Sequence, residues 1–440
     1  MSEHTLSNLE YSVDVAGYYK NFCDLPGFVL LESTDRVHGR YDILSACPFD
    51  TVKISRGSQT TLDGILALLD ADLEPQPKLD LPFQGGAIGF FSYDFACELA
   101  DINMQPQAGM QSMPLVEVGF YDWAIIVDHL LKKVTLFAAN TQKDTALIVN
   151  EMMARWHSRI SRVDAFKLET SFVPLIDKSA YEEAFYAIYG DLQKGRCYQV
   201  NYTQPFNAQF TGEPWEIYDT IKRCNPVPYS AFLRYDETDI LCFSPERFMQ
   251  IDNGALLASP IKGTERRSSN PVEDNELMLK LKACPKNRAE NVMIVDLMRN
   301  DFGKIARPGS VVVKALCEVE SYEAVHHLVS HIRAKCLDTV SPLQAFASCF
   351  PGGSITGAPK IEAMRVIAEN EPYARSVYCG SIGYISRHGR IDMNIAIRTI
   401  TATKNTLHLA AGGAIVIDSN CDEEYAECFT KMAGIFKGLY

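Results

Sequence analysis

The sequence predicts a mixed helix-and-strand protein with a large buried core, and three observations carry that reading. The chain has 440 residues, 47 % of them hydrophobic, enough to bury a sizeable interior as one large body or as two or more domains. Short apolar runs bounded by Gly, Pro and Asp fill its first third, the pattern of strands. Beyond them, stretches with helical periodicity alternate with further strand-like runs to the C-terminus.

In chain order, Phe28–Leu31, Ala87–Phe91 and Trp123–Val127 read as strands between about Asp14 and Asn140, a segment expected to form a sheet with helical cover. Thr141–Ile160 has the spacing of an amphipathic helix, and the less regular stretch Val163–Ile176 reads as a link into a second segment. That segment opens with a helix over Lys178–Lys194 and continues with strands such as Cys197–Tyr202 and Ala231–Arg234. No repeat of solenoid period and no low-complexity tract is found.

A net charge of −13 argues against nucleic acid and acidic membrane surfaces as partners, so an anionic substrate needs a locally positive site. The 13 cysteines show no Cys-x-x-Cys pair and no zinc-ligand spacing, the usage expected of reduced thiols that serve mainly as packing. The Met-Ser-Glu-His start lacks the basic and apolar regions of a signal peptide, and no apolar run approaches the ~20 residues that span a bilayer. The expected location is the cytoplasm.

Residues able to do chemistry gather after Gln199. On the C-terminal helix Glu424, Glu427 and Lys431 are spaced i, i+3, i+7 and share one face; a solvated face laced with ion pairs is the plainer alternative. In Ala289–Leu297, Glu290 falls on the face of Ile294 and Leu297, the side expected to pack inward. A carboxylate there needs a partner: an Arg, or a hard cation such as Mg2+ held by one or two carboxylates, for which Glu290 and Glu427 are suited. Pro351–Lys360 superficially suggests a phosphate loop, but Pro359 precedes the lysine and Ile361 stands where Ser or Thr would bind a metal. A tight turn into a helix that begins near Ala358 and Pro359, with Pro in the first turn, is the better reading. Gly412 and Gly413 interrupt the apolar strand Leu409–Val416 and imply close approach to another strand or to a ligand carboxylate. Arg398, on the otherwise largely apolar strand Ile395–Ile400, carries a planar fork suited to the carboxylate of a ligand or of a structural salt bridge. Glu246, in Ser244–Phe248, and Lys262, in Pro260–Thr264, sit beside Pro or Gly between strand-like runs. A Glu there acts as acid or base if its pKa is raised, and a Lys as nucleophile if its pKa is lowered. Spacing alone assigns neither role.

Taken in this order, Ser244–Phe248, Pro260–Thr264, Ala289–Asp301, Phe350–Lys360, Cys379–Tyr384 and the acidic C-terminal helix resemble the chorismate-utilising enzymes. The likeness extends to Leu30–Ser33, Leu81–Gly86 and Tyr121–Ala124, so it covers nearly the whole chain. Within the family it is strongest to the members that aminate chorismate at C4 on the way to p-aminobenzoate and folate. The resemblance implies an α+β fold in which two large antiparallel sheets stack as a sandwich with helices outside. An N-terminal region, 14–140, and a chorismate-binding region, 177–438, are then expected to form one intertwined body. It also implies that Lys262 attacks C2 of chorismate as the C4 hydroxyl leaves, that Glu246 protonates that hydroxyl, and that ammonia resolves the adduct at C4. Glu290 and Glu427 match magnesium ligands, with Glu424 holding metal-bound water. Tyr384, Arg398, Gly412, Gly413 and Lys431 match groups that grip the substrate's carboxylates. His327 matches a histidine near the ring, with Thr264 beside it. Glu32 and Ser33 fall in a segment that resembles the tryptophan pocket of relatives. Nothing in the chain resembles a glutaminase nucleophile with its His and acid, so ammonia is expected from a separate glutamine amidotransferase subunit in a heteromeric complex.

Two positions separate close relatives. Anthranilate synthases carry a small residue where Lys262 stands and add ammonia at C2. Isochorismate and salicylate synthases activate water with a Lys at the position of Gln199, whose amide is no base. A third family glycine is Ala414 here, which crowds the backbone slightly. The competing readings are an anthranilate synthase large component and a non-catalytic subunit that binds chorismate or tryptophan.

Overall fold

In a computed structural model, which describes residues 4–58, 79–158 and 165–440, the strands form two antiparallel sheets, of 13 and 10 strands among the described residues. The apolar runs become Val29–Glu32, Gly86–Phe91, Trp123–Asp128 and Tyr229–Arg234. Every residue of Trp123–Asp128 is buried, which is why this run is continuously apolar rather than alternating. Both sequence halves enter each sheet: Leu31 pairs with Ala231 in the larger, and Ile88 with Tyr384 in the smaller. An apolar cluster with Val29, Ala124 and Ile240 from the larger sheet and Ile88, Phe90 and Ile382 from the smaller lies between them. The two layers are therefore the stacked sandwich that the family resemblance implies.

Helices cover the outside. The Asp177 side chain caps Lys178–Gln193 through the Ala180 N–H, and Asn420 caps Cys421–Leu439 through Asp422 and Glu423. The C-terminal helix packs on Pro214–Cys224 so closely that a Cβ at Gly438 would come within 2.7 Å of the Ile221 Cα. No helix among the described residues is long and apolar enough to cross a membrane.

Several boundaries differ from expectation. The helix expected over Thr141–Ile160 runs from Thr145 to Trp156, because the Thr141 and Thr145 hydroxyls both donate to the buried Asp122 carboxylate and hold the turn before it; residues 159 and 160 lie outside the described residues. The link expected over Val163–Ile176, whose first two residues are also outside, contains the short strands Lys167–Leu168 and Val173–Pro174, which pair with Gln199–Thr211. Pro359 is the N-cap of Lys360–Asn370 rather than part of its first turn.

Two links between the sheets position the site. Residues 245 and 246 join Thr238–Ser244 of the larger sheet to Arg247–Asp252 of the smaller, and residues 395 to 398 join Ile391–Asn394 of the smaller to Thr399–Thr403 of the larger. Arg398 is thus not on a strand but in a link, at φ +52°, a left-handed conformation that few side chains adopt. The links are bonded to each other. The Ile395 N–H donates to the Glu246 carbonyl at 3.0 Å. The Ser244 hydroxyl donates to the Ile395 carbonyl at 2.6 Å and accepts from the Glu246 N–H at 3.1 Å. Ser244→Ala removes both side-chain bonds and leaves a buried N–H unpaired, so denaturant unfolding is expected to show a loss of about 1–3 kcal/mol with an unchanged slope.

Candidate active site

The two links border a cavity of about 520 Å³, within the range of small-molecule sites. Glu246 and Arg398 come from the links, Lys262 and Thr264 from the strand Ile261–Arg266, and Glu290 from the helix Pro285–Ile305. The C-terminal helix adds Glu424, Glu427 and Lys431, and the strands Val325–Lys335 and Thr406–Ile415 add His327 and Gly412. Residues scattered from 246 to 431 therefore share one chamber.

Burial sets the chemistry of the key pair. It lowers the pKa of Lys262, although the neighbouring Glu290 charge opposes it. The Lys262 Nζ lies 3.4 Å from the Ser354 carbonyl. Burial also pushes Glu246 up to about 7, while the Lys262 charge pulls the other way. An amine biased toward its neutral form and a carboxyl half protonated at neutral pH are the two states that a nucleophile and a general acid require. Burial likewise lowers the Arg398 guanidinium, and among the described residues no charged neighbour offsets it. The salt-bridge alternative for Arg398 thus finds no support, and its fork faces the cavity open to an anion. His327 is pushed down to about 4 by burial and then by the Arg398 charge, so it is neutral at pH 7. It sits directly across the ladder from Thr264, whose hydroxyl is 2.9 Å from its Nδ1.

The carboxylates gather opposite. Glu424 is buried, accepts from the Ser419 hydroxyl at 2.7 Å and has Lys286 at 3.8 Å, while its Oε2 has no hydrogen bond among the described residues. The plainer reading of the C-terminal helix is half met: Lys431 and Glu427 form an i,i+4 pair at 2.7 Å, but on the cavity wall. The two glycines serve different approaches. A Cβ at Gly412 would meet the Tyr202 carbonyl at 2.0 Å, so this glycine admits the neighbouring strand, and its own carbonyl accepts from Lys431 at 2.7 Å. A Cβ at Gly413 would lie 2.6 Å from the Glu424 Oε2, so this glycine leaves room for the carboxylate. Among the described residues, no group of three His, Cys, Asp or Glu is arranged to hold a metal by itself.

One residue expected at this cavity lies elsewhere. Tyr384 lines a second cavity, of about 320 Å³, between the sheets, together with Glu32 and Ser33, which were expected in a separate pocket. Tyr384 is on the strand Ser381–Ser386, edge-on to Phe83, and does not join Arg398. The tyrosine at the first cavity is Tyr378, ahead of that strand. Glu32 accepts from Tyr218 at 2.7 Å and from the buried Lys222 at 2.9 Å. Gln199 is fully buried opposite Ala358, has no hydrogen bond to its amide among the described residues, and is not on the cavity wall. Lys360 is structural, bonded to Asp301 and to the Cys349 carbonyl.

The cavity also contains residues that sequence reasoning missed: Asn201, Lys286, Asn287 and Tyr378. Signals existed for two of them: Lys286 and Asn287 lie four and three residues before Glu290 on its helix.

The chorismate binding enzyme family matches residues 28–437. The chain is 42 % identical to aminodeoxychorismate synthase component 1 of Salmonella typhimurium, over 99 % of this chain and 98 % of that protein. It is 41 % identical to the protein of the same name from Escherichia coli, over 96 % and 95 %. The fold resembles the crystal structure of anthranilate synthase component I from Streptococcus pneumoniae, with a TM-score of 0.81 at 29 % identity over 90 % and 92 % of the two chains. A match that spans both sheets and every wall of the cavity places this chain in the chorismate binding enzyme family.

Proposed function

We propose that the chain is the chorismate-aminating component of an aminodeoxychorismate synthase: it replaces the C4 hydroxyl of chorismate with an amino group and retains the enolpyruvyl group, a step toward p-aminobenzoate and folate. The observation that carries this reading is the pairing, in one cavity, of an amine lowered by burial at Lys262 with a carboxyl raised to about 7 at Glu246. The names of the bacterial relatives support the same product.

Arg398, Lys431 and the Gly412 backbone serve the two carboxylates of the substrate. Neutral Lys262 bonds to C2, the ring double bonds shift, and the C4 hydroxyl leaves as water with the proton of Glu246. Ammonia then bonds to C4, the double bonds shift back, and the bond from C2 to Lys262 breaks. A proton from the new ammonium group restores Glu246. His327 is neutral and, with Thr264, orients the substrate rather than transferring a proton. Glu290 and Glu427 are fit to hold a magnesium ion, with the free Oε2 of Glu424 available to a water on it; two carboxylates completed by water and substrate oxygens is an ordinary magnesium arrangement. When bound, the ion supplies positive charge to a substrate carboxylate. Ammonia comes from a separate glutamine amidotransferase subunit in a cytoplasmic complex, in keeping with the words "component 1" in the relatives' names. Regions 14–140 and 177–438 act as one body, and the cavity at Glu32 and Ser33 is the place for tryptophan.

Pure protein given chorismate, Mg2+ and an ammonium salt is expected to yield aminodeoxychorismate, which becomes p-aminobenzoate only after a lyase is added. Fluorescent anthranilate without lyase would overturn the reading. In the same assay Lys262→Ala is expected to slow turnover sharply with little loss of chorismate binding. The rate constant kcat/KM is expected to fall as pH rises through about 7, because Glu246 donates only when protonated. Glu246→Gln should erase that alkaline limb and lower kcat by about 10²- to 10⁴-fold. Glu290→Ala and Glu427→Ala are each expected to abolish activity and its Mg2+ dependence together; activity that persists in chelator contradicts the metal assignment.

A further inference from the structure

Asn201 lines the cavity and is only 6 % exposed, yet among the described residues its side-chain amide has no hydrogen-bond partner. Its backbone, by contrast, is held on both sides. The N–H donates to the Thr356 carbonyl at 2.8 Å, and the carbonyl accepts from Arg375 Nη2 at 2.5 Å. The other arm of the same guanidinium holds the Ile355 carbonyl at 2.8 Å, next to the Ser354 carbonyl that faces Lys262. Arg375 is itself locked to both oxygens of Glu371. The strand register pairs Asn201 with Ala414, which also lines the cavity. A rigid frame therefore presents a free, neutral amide beside the segment that Lys262 touches.

On the reaction proposed above, Arg398 and Lys431 serve the carboxylates, and the reactant without a protein contact is ammonia. Ammonia must keep its lone pair for C4, so it is best held through its N–H groups by an acceptor. A carboxylate acceptor favours ammonium, which has no lone pair, whereas an amide oxygen accepts a hydrogen bond without being a base. The cavity's other amide, Asn287, is half-buried and lies against Gly263. We infer that Asn201 is the positioning residue for ammonia: its Oδ1 accepts one N–H and leaves the lone pair free for C4. Asn201 neither gains nor loses a proton in the step. The bond from nitrogen to C4 forms as the bond from C2 to Lys262 breaks.

The test is steady-state kinetics of the full chain with chorismate, Mg2+ and ammonium chloride, varied separately. Asn201→Ala is expected to raise KM for ammonia by about tenfold or more and to leave KM for chorismate within about twofold. Asn201→Ser, which keeps an oxygen acceptor, should fall between wild type and Asn201→Ala. Asn201→Asp should be at least as impaired as Asn201→Ala, because its carboxylate favours ammonium. Chorismate binding by Asn201→Ser, measured without ammonia, shows whether the site is intact. An unchanged KM for ammonia, or equal rises in both KM values, overturns the inference while wild-type C4 amination stands. Failure of the wild type to aminate C4 overturns instead the reading of the reaction on which the inference rests.

Discussion

The hydrogen bond from the Ile395 N–H to the Glu246 carbonyl joins two links that cross between the sheets in opposite directions. Ser244 strengthens the junction from within the larger sheet. Neither link has a full ladder to satisfy its backbone, and Pro245, Glu246, Ile395 and Ala396 are buried, so each link supplies a partner that the other lacks. That mutual dependence lets two irregular segments persist at the centre of a molecule otherwise built of regular strands. It also brings Glu246 and Arg398, far apart in sequence, to one cavity.

Desolvation then differentiates the charges there. It is the leading influence on Lys262, Glu246, Arg398 and His327, raising the acid and lowering the bases. The same burial also acts to raise Glu427, but Lys431 and its fellow cations hold that carboxyl below its ordinary value. One chamber thus contains a pair biased toward neutrality, suited to bond making and proton transfer, and an anionic patch suited to a cation. Local geometry in this way overrides the net charge of −13, and an acidic chain presents Arg398 and Lys431 to an anion.

Much of this was legible from residues alone. The strands at Val29, Gly86 and Trp123, the helix from Lys178 and the inward face of Glu290 follow from periodicity, because burial is what periodicity records. Glu290 is indeed half-buried on the cavity side of its helix. Arg398 was misplaced on a strand because its neighbours Ile395, Ala396 and Ile397 are apolar for another reason: they line the passage between two sheets. Tyr378 stands just before the motif that ends at Tyr384, but a turn into the strand sends the two to different cavities, and no local pattern announces that turn. Asn201 is unremarkable in the sequence, because its lack of a partner among the described residues is a property of the fold and not of the strand.

Glu246 and Arg247 are consecutive, yet the first lines one cavity and the second lines the other, where its Nε and Nη2 donate to the two oxygens of Asp392 at 2.9 and 3.1 Å. A single peptide unit therefore connects a residue of one chamber to a residue of the other. Torsion about it moves both side chains at once, as a crankshaft moves two journals. A substitution that displaces Arg247 in the chamber between the sheets therefore acts on a residue bonded directly to the acid of the other chamber.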